Sequence, residues 1–109
     1  MSILLAGLDD YLLSILPPRD AILTRMEADA ARRGIPIVGP AVGRLLAQYA
    51  RLVGARRVFE LGSAIGYSTI WLARAVGPEG HVFFTDGSEE NAAEARGNLE
   101  EAGVAERVT

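Results

Sequence analysis

The sequence lacks cysteine and lysine, and it contains a single histidine. The absence of cysteine excludes a disulfide scaffold, a thiolate metal site and a cysteine nucleophile. Since all eleven basic residues are arginines, Schiff-base chemistry and a Walker-type phosphate lysine are excluded as well. The 14 acidic and 11 basic residues give a formal net charge of −3. This charge is too small, and of the wrong sign, for a protein that binds nucleic acid or anionic lipid.

Long hydrophobic runs are also missing. Residues 1–16 are mostly apolar but include Asp9 and Asp10 and have no basic flank, so they are predicted to be neither a signal peptide nor a membrane span. With 109 residues, half of them apolar, the chain suffices for one small domain and is too apolar to be disordered. We therefore expect a soluble, cytoplasmic protein that binds neither nucleic acid nor membranes.

The first half of the chain has the apolar spacing of helices. Helices are predicted over residues 3–16, 20–33 and about 40–53. Asp20 is placed to cap the second helix, and Gly34 to end it. Because Pro36 biases the residue before it away from helix, residues 35–39 are predicted to be extended.

After Gly54 the pattern changes to an alternation of strands and helices. Strands are predicted over residues 57–61 and 81–85, helices over 67–76 and 89–102, and the opening of a third strand over 107–109. This order implies an α/β fold with a parallel sheet, of which two strands and a stub form only part. We predict a helical cap and dimerisation segment at residues 1–54. Residues 55–109 are predicted to be the first half of a doubly wound, Rossmann-like domain, truncated at its third strand.

A glycine-bounded loop follows the first predicted strand, in the stretch Glu60-Leu61-Gly62-Ser63-Ala64-Ile65-Gly66-Tyr67-Ser68. A strand that ends in such a loop and leads into a helix leaves a crevice at the carboxyl edge of the sheet. Asp86, after the second strand, can accept hydrogen bonds there from two ribose hydroxyls. The combination predicts a site for an adenosine-containing ligand. Two simpler roles stay open: Asp86 as a helix cap, and Tyr67 as a core packing residue.

The spacing of the small residues distinguishes between adenosine-containing ligands. A nicotinamide-dinucleotide fingerprint, G-x-G-x-x-G, needs glycines at positions 62, 64 and 67, but the chain has Ala64 and Tyr67. This mismatch disfavours a pyrophosphate site. The stretch instead fits acidic-x-Gly-x-Gly-x-Gly with the middle glycine replaced by alanine. That pattern is the first motif of Rossmann-like methyltransferases that use S-adenosylmethionine, a ligand without phosphate.

Three stretches extend this resemblance: Ile35-Pro36-Ile37-Val38-Gly39-Pro40, the loop stretch continued to Thr69, and Glu101-Ala102-Gly103-Val104. In this order they resemble the amino-terminal half of the cation-dependent O-methyltransferases, the family of the catechol and caffeoyl-CoA enzymes. The resemblance spans about residues 8 to 109. It implies S-adenosylmethionine as the cofactor and, in a full-length enzyme, methyl transfer to a hydroxyl of a small aromatic acceptor.

The resemblance also implies roles for eleven residues of a cofactor site. Val38 and Gly39 would line the methionine end of the cofactor. The loop around its carboxylate and amine would be formed by Gly62, Ser63, Tyr67 and Ser68, with Gly66 as a further loop residue of the site and Glu60 as its support. Asp86 would bind the ribose, and Gly87 and Ser88 would lie near the adenosine. The family's divalent metal is held by residues that would follow Thr109. No catalytic or metal-binding residue is therefore expected in this chain, and these 109 residues are expected to be inactive alone.

Two alternatives to the enzymatic interpretation remain. The first is a non-catalytic half-domain that associates with itself, as a homodimer or a strand-exchanged assembly in which a second copy supplies the missing sheet neighbours. The second is a fragment that binds a nicotinamide dinucleotide, which Ala64 and Tyr67 disfavour.

Overall fold

In the computed structural model, which describes residues 5–109, three helices precede a short parallel sheet. The elements, in chain order, are α1 (Leu8–Ser14), α2 (Ala21–Arg33), α3 (Gly39–Leu52), β1 (Arg57–Phe59), α4 (Tyr67–Val76), β2 (His81–Phe83), α5 (Glu89–Glu101) and a 3₁₀ turn (Ala105–Arg107). Val58 of β1 pairs with Val82 of β2, which also forms a parallel bridge to Val108. The predicted α/β order is confirmed, with β2 between β1 and the chain end.

The helix boundaries follow the local signals in the sequence. The Asp20 carboxylate accepts a hydrogen bond from the Leu23 amide at 3.3 Å, and Gly34 ends α2 in the left-handed region. Ser88 caps α5 by accepting a hydrogen bond from the Asn91 amide at 3.2 Å. The predicted bounds of α4 are also confirmed. These boundaries are predictable because each depends on residues within one helical turn.

Several predicted boundaries were wrong. The first helix begins at Leu8, because Gly7 has a φ of 84°, which a right-handed helix cannot include; residues 3 and 4 of the prediction lie outside the described residues. The third strand is reduced to a single bridge at Val108, because Arg107 belongs to the 3₁₀ turn. The strands β1 and β2 end at Phe59 and Phe83, two residues earlier than predicted.

The early end of both strands has a cause in the side chain of Thr85. Its Oγ1 donates a hydrogen bond to the carbonyl oxygen of Glu60 at 2.6 Å and accepts one from the Gly62 amide at 3.3 Å. A side chain therefore stands where the ladder between the two strands would continue. The regular backbone ladder ends at this point, although the two segments stay joined by the hydrogen bond from the Ser63 amide to the Thr85 carbonyl at 2.7 Å.

The core joins the amino-terminal helices to the sheet-forming half of the chain. Leu23 and Met26 of α2 are fully buried, as are Ile65 in the loop after β1 and Ile70 of α4. Helix α3 packs on α4, where Gly43 faces the indole of Trp71. The helices before β1 therefore support the same loop that the sequence singles out.

The two strands of the sheet differ in solvent exposure. Val82 is fully buried in the core, whereas the Phe59 side chain is 64% exposed. Phe59 lies beside Phe83, with ring centroids 6.3 Å apart, and the Arg57 guanidinium lies 5.5 Å from the centroid of the Phe83 ring. An aromatic surface is therefore open to solvent in the described part of the chain. None of the helices within residues 5–109 is long and apolar enough to cross a membrane.

Two glycines inside helices offer a matched test of the packing of α3 on α4. A Cβ atom on Gly43 would overlap the indole of Trp71, whereas one on Gly97 of α5 would meet nothing within 4 Å. We expect Gly43→Ala to lower the free energy of unfolding by about 1–3 kcal/mol, because overpacking outweighs the helix propensity of alanine. Gly97→Ala is expected to raise it by about 0.8–1 kcal/mol. Urea unfolding measures both; stabilisation by both variants would contradict the packing.

Candidate functional site

The loop between β1 and α4 has an unusual backbone. Gly62, Ala64 and Gly66 have φ angles of 75°, 47° and 89°, and Ala64 is the one non-glycine residue with positive φ among those described. The Ile65 side chain, 1% exposed, anchors the loop in the core. Since positive φ is costly for alanine, contacts elsewhere must hold this conformation.

Four amides of the loop donate hydrogen bonds to acceptors within the protein. The Ser63 amide donates to the Thr85 carbonyl at 2.7 Å, and the Ala64 amide to Oδ2 of Asp86 at 2.9 Å. The Gly62 and Gly66 amides donate to Oγ1 of Thr85 and to the Ser63 carbonyl. A phosphate-binding loop directs its amides toward the anion. This loop directs these four amides inward, and one of them already binds a carboxylate.

Asp86 contacts the loop and the start of α5 at the same time. Its Oδ1 accepts hydrogen bonds from the Ser88 amide at 2.9 Å and the Asn91 side-chain amide at 3.2 Å, while Oδ2 accepts the Ala64 amide. These bonds, led by that from Ser88, hold the pKa of Asp86 below its ordinary value. Asp86 is therefore ionised at neutral pH, and Oδ2, which accepts one bond, has room for a further donor.

Glu60, after the end of β1, contacts the first turn of α4. Its two carboxylate oxygens accept hydrogen bonds from Oγ of Ser68 and from Oγ1 of Thr69, each at 2.5 Å. An acidic group is favoured there by the positive end of the helix dipole. Because the Ser68 hydroxyl donates its proton to Glu60, its oxygen can only accept from a ligand.

A small cleft lies between the loop and the segment before α3. Its volume is about 60 Å³, and it is lined by Pro36, Ile37, Val38, Gly62, Ser63, Ala64, Ile65, Tyr67 and Ser68. Five of the eleven predicted site residues thus share one cleft. Gly39 begins α3 directly after Val38. Gly66 faces α5, because a Cβ added to Gly66 would lie 3.3 Å from the Cβ of Ala95. Residues 86–88 lie outside the lining of this cleft, and Asp86 is hydrogen-bonded to the loop through the Ala64 amide.

Tyr67 contributes mainly to packing. It is 2% exposed, and its ring lies 6.5 Å from that of Trp71. Its hydroxyl lies 3.3 Å from Oε2 of Glu27 and donates to it, and Glu27 in turn accepts hydrogen bonds from Arg19, the shortest at 2.6 Å. The simpler role left open for Tyr67 in the sequence is therefore compatible with its place in the cleft wall. Burial raises the pKa of Tyr67 to about 12.

The raised pKa of Tyr67 predicts a pH-dependent loss of stability. The neutral phenol is favoured in the folded state, so its contribution is complete below about pH 10, the ordinary pKa of tyrosine. It is lost as the pH rises to about 12. Urea unfolding at several alkaline pH values should show a steeper fall in unfolding free energy for the wild type than for Tyr67→Phe. Parallel curves would contradict this prediction.

Three residues of the site have roles that the sequence patterns do not indicate. The Thr85 side chain ends the ladder between the strands, Asn91 binds Asp86, and Asn98 of α5 donates a hydrogen bond to the Ile65 carbonyl at 3.0 Å. Only Asn91 has a local signal, since it lies in the first turn after the Ser88 cap. The patterns indicate no more than a strand residue at Thr85 and a helix residue at Asn98.

None of the eleven predicted site residues lines the larger groove on the described part of the chain. This groove, of about 370 Å³, lies between α5 and the chain end and is lined by Phe84, Ala92, Ala95, Arg96, Leu99, Glu100, Ala105, Val108 and Thr109. No group of three or more histidine, aspartate or glutamate side chains within residues 5–109 could hold a metal ion. The loop and its carboxylates are the strongest candidate site.

A parallel sheet whose first strand ends in a glycine loop, with an acidic residue after the second strand, is typical of the first half of a Rossmann-like domain. Residues 20–109 match the O-methyltransferase family. The chain therefore belongs to the O-methyltransferase family.

Relatives agree with this membership. The chain is 42% identical over 103 residues to a catechol O-methyltransferase of Mycobacterium tuberculosis, an alignment that covers 94% of this chain and 46% of the relative. It is 34% identical to a catechol O-methyltransferase of Niastella koreensis, over 94% of this chain and 47% of the relative. The chain thus spans about half the length of the curated relatives it matches.

Among solved structures, the chain is similar to an O-methyltransferase of Streptomyces achromogenes that is involved in tomaymycin synthesis and was solved in complex with S-adenosylmethionine. The two superimpose with a TM-score of 0.84 at 37% identity, over 94% of this chain and 47% of that one. A Bacillus cereus O-methyltransferase in complex with S-adenosylhomocysteine gives a TM-score of 0.83 at 36% identity, over 94% and 47%. A methyltransferase of Geobacter sulfurreducens gives 0.88 at 34%, over 98% and 56%. The fold therefore matches part of a Rossmann-like methyltransferase domain.

Proposed function

We propose that this chain is the S-adenosylmethionine-binding half of an O-methyltransferase. The observation that best supports this is the use of the loop amides: four of them donate within the protein, one to Asp86. A dinucleotide needs loop amides for its pyrophosphate. S-adenosylmethionine has no phosphate and does not need them. The structures of family members in complex with S-adenosylmethionine or S-adenosylhomocysteine support the same choice.

The charge of the candidate site also favours a cationic ligand. Two carboxylates, those of Glu60 and Asp86, border the loop, and none of the eleven predicted site residues is basic. S-adenosylmethionine carries a positive sulfonium, which these carboxylates attract, whereas they repel a pyrophosphate. The nicotinamide-dinucleotide alternative is therefore disfavoured by charge as well as by motif.

The contacts in the site suggest how the ligand binds. We place its methionine end in the cleft beside Val38 and Gly39, with Ser63, Gly66 and Tyr67 shaping the loop around it. The Ser68 oxygen can accept from its amine, because the Ser68 proton is already donated to Glu60. The free acceptor position on Oδ2 of Asp86 suits a ribose hydroxyl. Gly62 lets the ligand approach the loop, and Gly87 and Ser88 are assigned to the adenosine side.

For the whole enzyme we propose methyl transfer to a hydroxyl of a small aromatic acceptor, as the names of the catechol O-methyltransferase relatives suggest. The rate would come mainly from holding the sulfonium methyl and the acceptor oxygen in line. We propose a divalent metal only for the whole enzyme, because no group of three or more histidine, aspartate or glutamate side chains within residues 5–109 could hold one. We propose a cytoplasmic location, which the composition favours.

Calorimetric titration of the chain tests the proposed cofactor. We expect saturable binding of S-adenosylhomocysteine and, under identical conditions, markedly weaker binding of the oxidised and reduced nicotinamide dinucleotides. S-adenosylhomocysteine lacks the methyl group and cannot react, so the titration measures binding alone. Preferential binding of a dinucleotide would contradict the proposal.

Self-association is a second candidate property of this chain. In the described residues, β1 has a pairing partner on one edge only, and beside it Phe59 and Leu61 are 64% and 83% exposed. Exposed strand edges favour pairing with another chain. We propose that residues 55–109 use this edge in a homodimer or strand-exchanged assembly, with residues 1–54 as cap and dimerisation segment. Sedimentation equilibrium at micromolar concentration tests this proposal. We expect a mass above that of the monomer, and a monomer alone would contradict the proposal.

A further inference from the structure

We propose that Asn98 is a positioning residue for the cofactor loop. Asn98 lies in α5, outside the eleven predicted site residues, and is 5% exposed. Its Nδ2 donates a hydrogen bond at 3.0 Å to the carbonyl oxygen of Ile65, in the middle of the loop. This inference rests on the proposed function, because the loop is the part of the chain assigned to the cofactor.

The loop needs such a partner because of its position. The Ile65 side chain is buried, and the residues on both sides of Ile65 have positive φ. A buried carbonyl without a hydrogen bond is costly, and Asn98 supplies the donor. The neighbouring Gly66 packs on Ala95, one turn earlier in the same helix. Helix α5 thus holds one side of the loop, while Asp86 holds another through the Ala64 amide.

Arg25 of α2 fixes the orientation of the Asn98 amide. Its guanidinium donates a hydrogen bond at 3.0 Å to Oδ1 of Asn98, and it also binds Glu101 at 2.7 Å. An arginine has no acceptor, so only the oxygen of Asn98 can face it. The nitrogen is therefore directed to Ile65. A chain of two hydrogen bonds links α2 through α5 to the loop.

The test compares Asn98→Asp with Leu99→Ala in the same helix. The aspartate keeps the shape and the bond from Arg25 but has no donor for the Ile65 carbonyl. Leu99 is buried in the core, so its truncation lowers stability without removing a loop hydrogen bond. We expect Asn98→Asp to weaken S-adenosylhomocysteine binding about tenfold. Leu99→Ala should change the affinity less than about twofold, a ratio typical of changes remote from a contact.

Amide hydrogen exchange gives a readout that needs no ligand. The Gly66 amide, bonded to the Ser63 carbonyl at 3.0 Å, should exchange faster in Asn98→Asp by more than its loss of global stability explains. In Leu99→Ala the exchange rate of the Gly66 amide should rise only as much as the loss of global stability explains. If Asn98→Asp does not fold, Arg25→Met, which removes the orienting cation together with its ion pairs to Asp29 and Glu101, should show the same local acceleration beyond its own loss of global stability.

The two readouts separate failure of this inference from failure of the proposed cofactor. Wild-type protein that does not bind S-adenosylhomocysteine would contradict the cofactor, and Gly66 exchange would still decide the role of Asn98. The positioning role would be overturned if Asn98→Asp behaved like Leu99→Ala: Gly66 exchange accelerated only by the loss of global stability, and S-adenosylhomocysteine affinity changed less than about twofold.

Discussion

Replacement of Gly66 with alanine is expected to lower the free energy of unfolding by about 2–4 kcal/mol, a large part of the stability of a small domain. Two costs add at this position. The φ of 89° strains any residue with a Cβ, and the new Cβ would lie 3.3 Å from that of Ala95. Urea unfolding monitored by circular dichroism measures the change.

Gly62→Ala is the matched control for this loss. Gly62 has a similar φ of 75°, but a Cβ there would meet nothing within 4 Å. Only backbone strain remains, so we expect a loss of about 1–2 kcal/mol. Equal losses in the two variants would show that the packing of Gly66 on α5 contributes nothing to the loop.

Replacement of Asp86 with asparagine is expected to weaken S-adenosylhomocysteine binding about tenfold to a hundredfold. The carboxylate accepts from three donors of the protein and has one acceptor position left on Oδ2. An asparagine replaces one of these oxygens with a nitrogen that donates. With the nitrogen at the Oδ2 position, the Ala64 amide and the ribose both lose their acceptor; with the nitrogen at the Oδ1 position, the Ser88 amide and the Asn91 side chain lose theirs, and the group that faces the ribose is no longer held in place. Isothermal titration calorimetry gives the two affinities.

Two controls accompany the Asp86 variant. Glu90→Gln removes one negative charge from the first turn of the same helix, at an exposed residue, and should change the affinity less than about twofold. The pKa of Asp86 is held below its ordinary value, so wild-type affinity should be constant at neutral pH and fall only as the pH drops below about 4. The Asp86→Asn variant should show a smaller acidic fall, because residue 86 no longer titrates. Wild-type affinity in this variant would contradict the assignment of Asp86.

The sequence predicted those features that depend on neighbouring residues. Asp20 and Ser88 cap their helices, α4 has its predicted bounds, and Asp86 lies at the same edge of the sheet as the loop after β1. Each follows from a turn residue or from the parallel connection, which brings the ends of both strands to one edge. The cofactor roles assigned to individual residues stay predictions.

Long-range side-chain contacts have no signal in the sequence. The Asn98 bond to Ile65 joins residues 33 positions apart, and Thr85 acts on Glu60 and Gly62 across the sheet. Hydrophobic periodicity reports which face of an element is buried, not which polar group meets which. The sequence also does not predict that Asp86 has two contacts, because it offers the helix cap and the site residue as alternatives. In the structure, the one carboxylate accepts hydrogen bonds both from the start of α5 and from the loop.

Nuclear magnetic resonance titration with S-adenosylhomocysteine tests the central claim most directly, because it locates the ligand. The account predicts that amide shifts concentrate in residues 62–68 and 86–88 and at Val38, while the groove between α5 and the chain end is unchanged. Shifts confined to that groove, or the absence of any shift at saturating ligand, would contradict the claim that the glycine loop and Asp86 form the cofactor site.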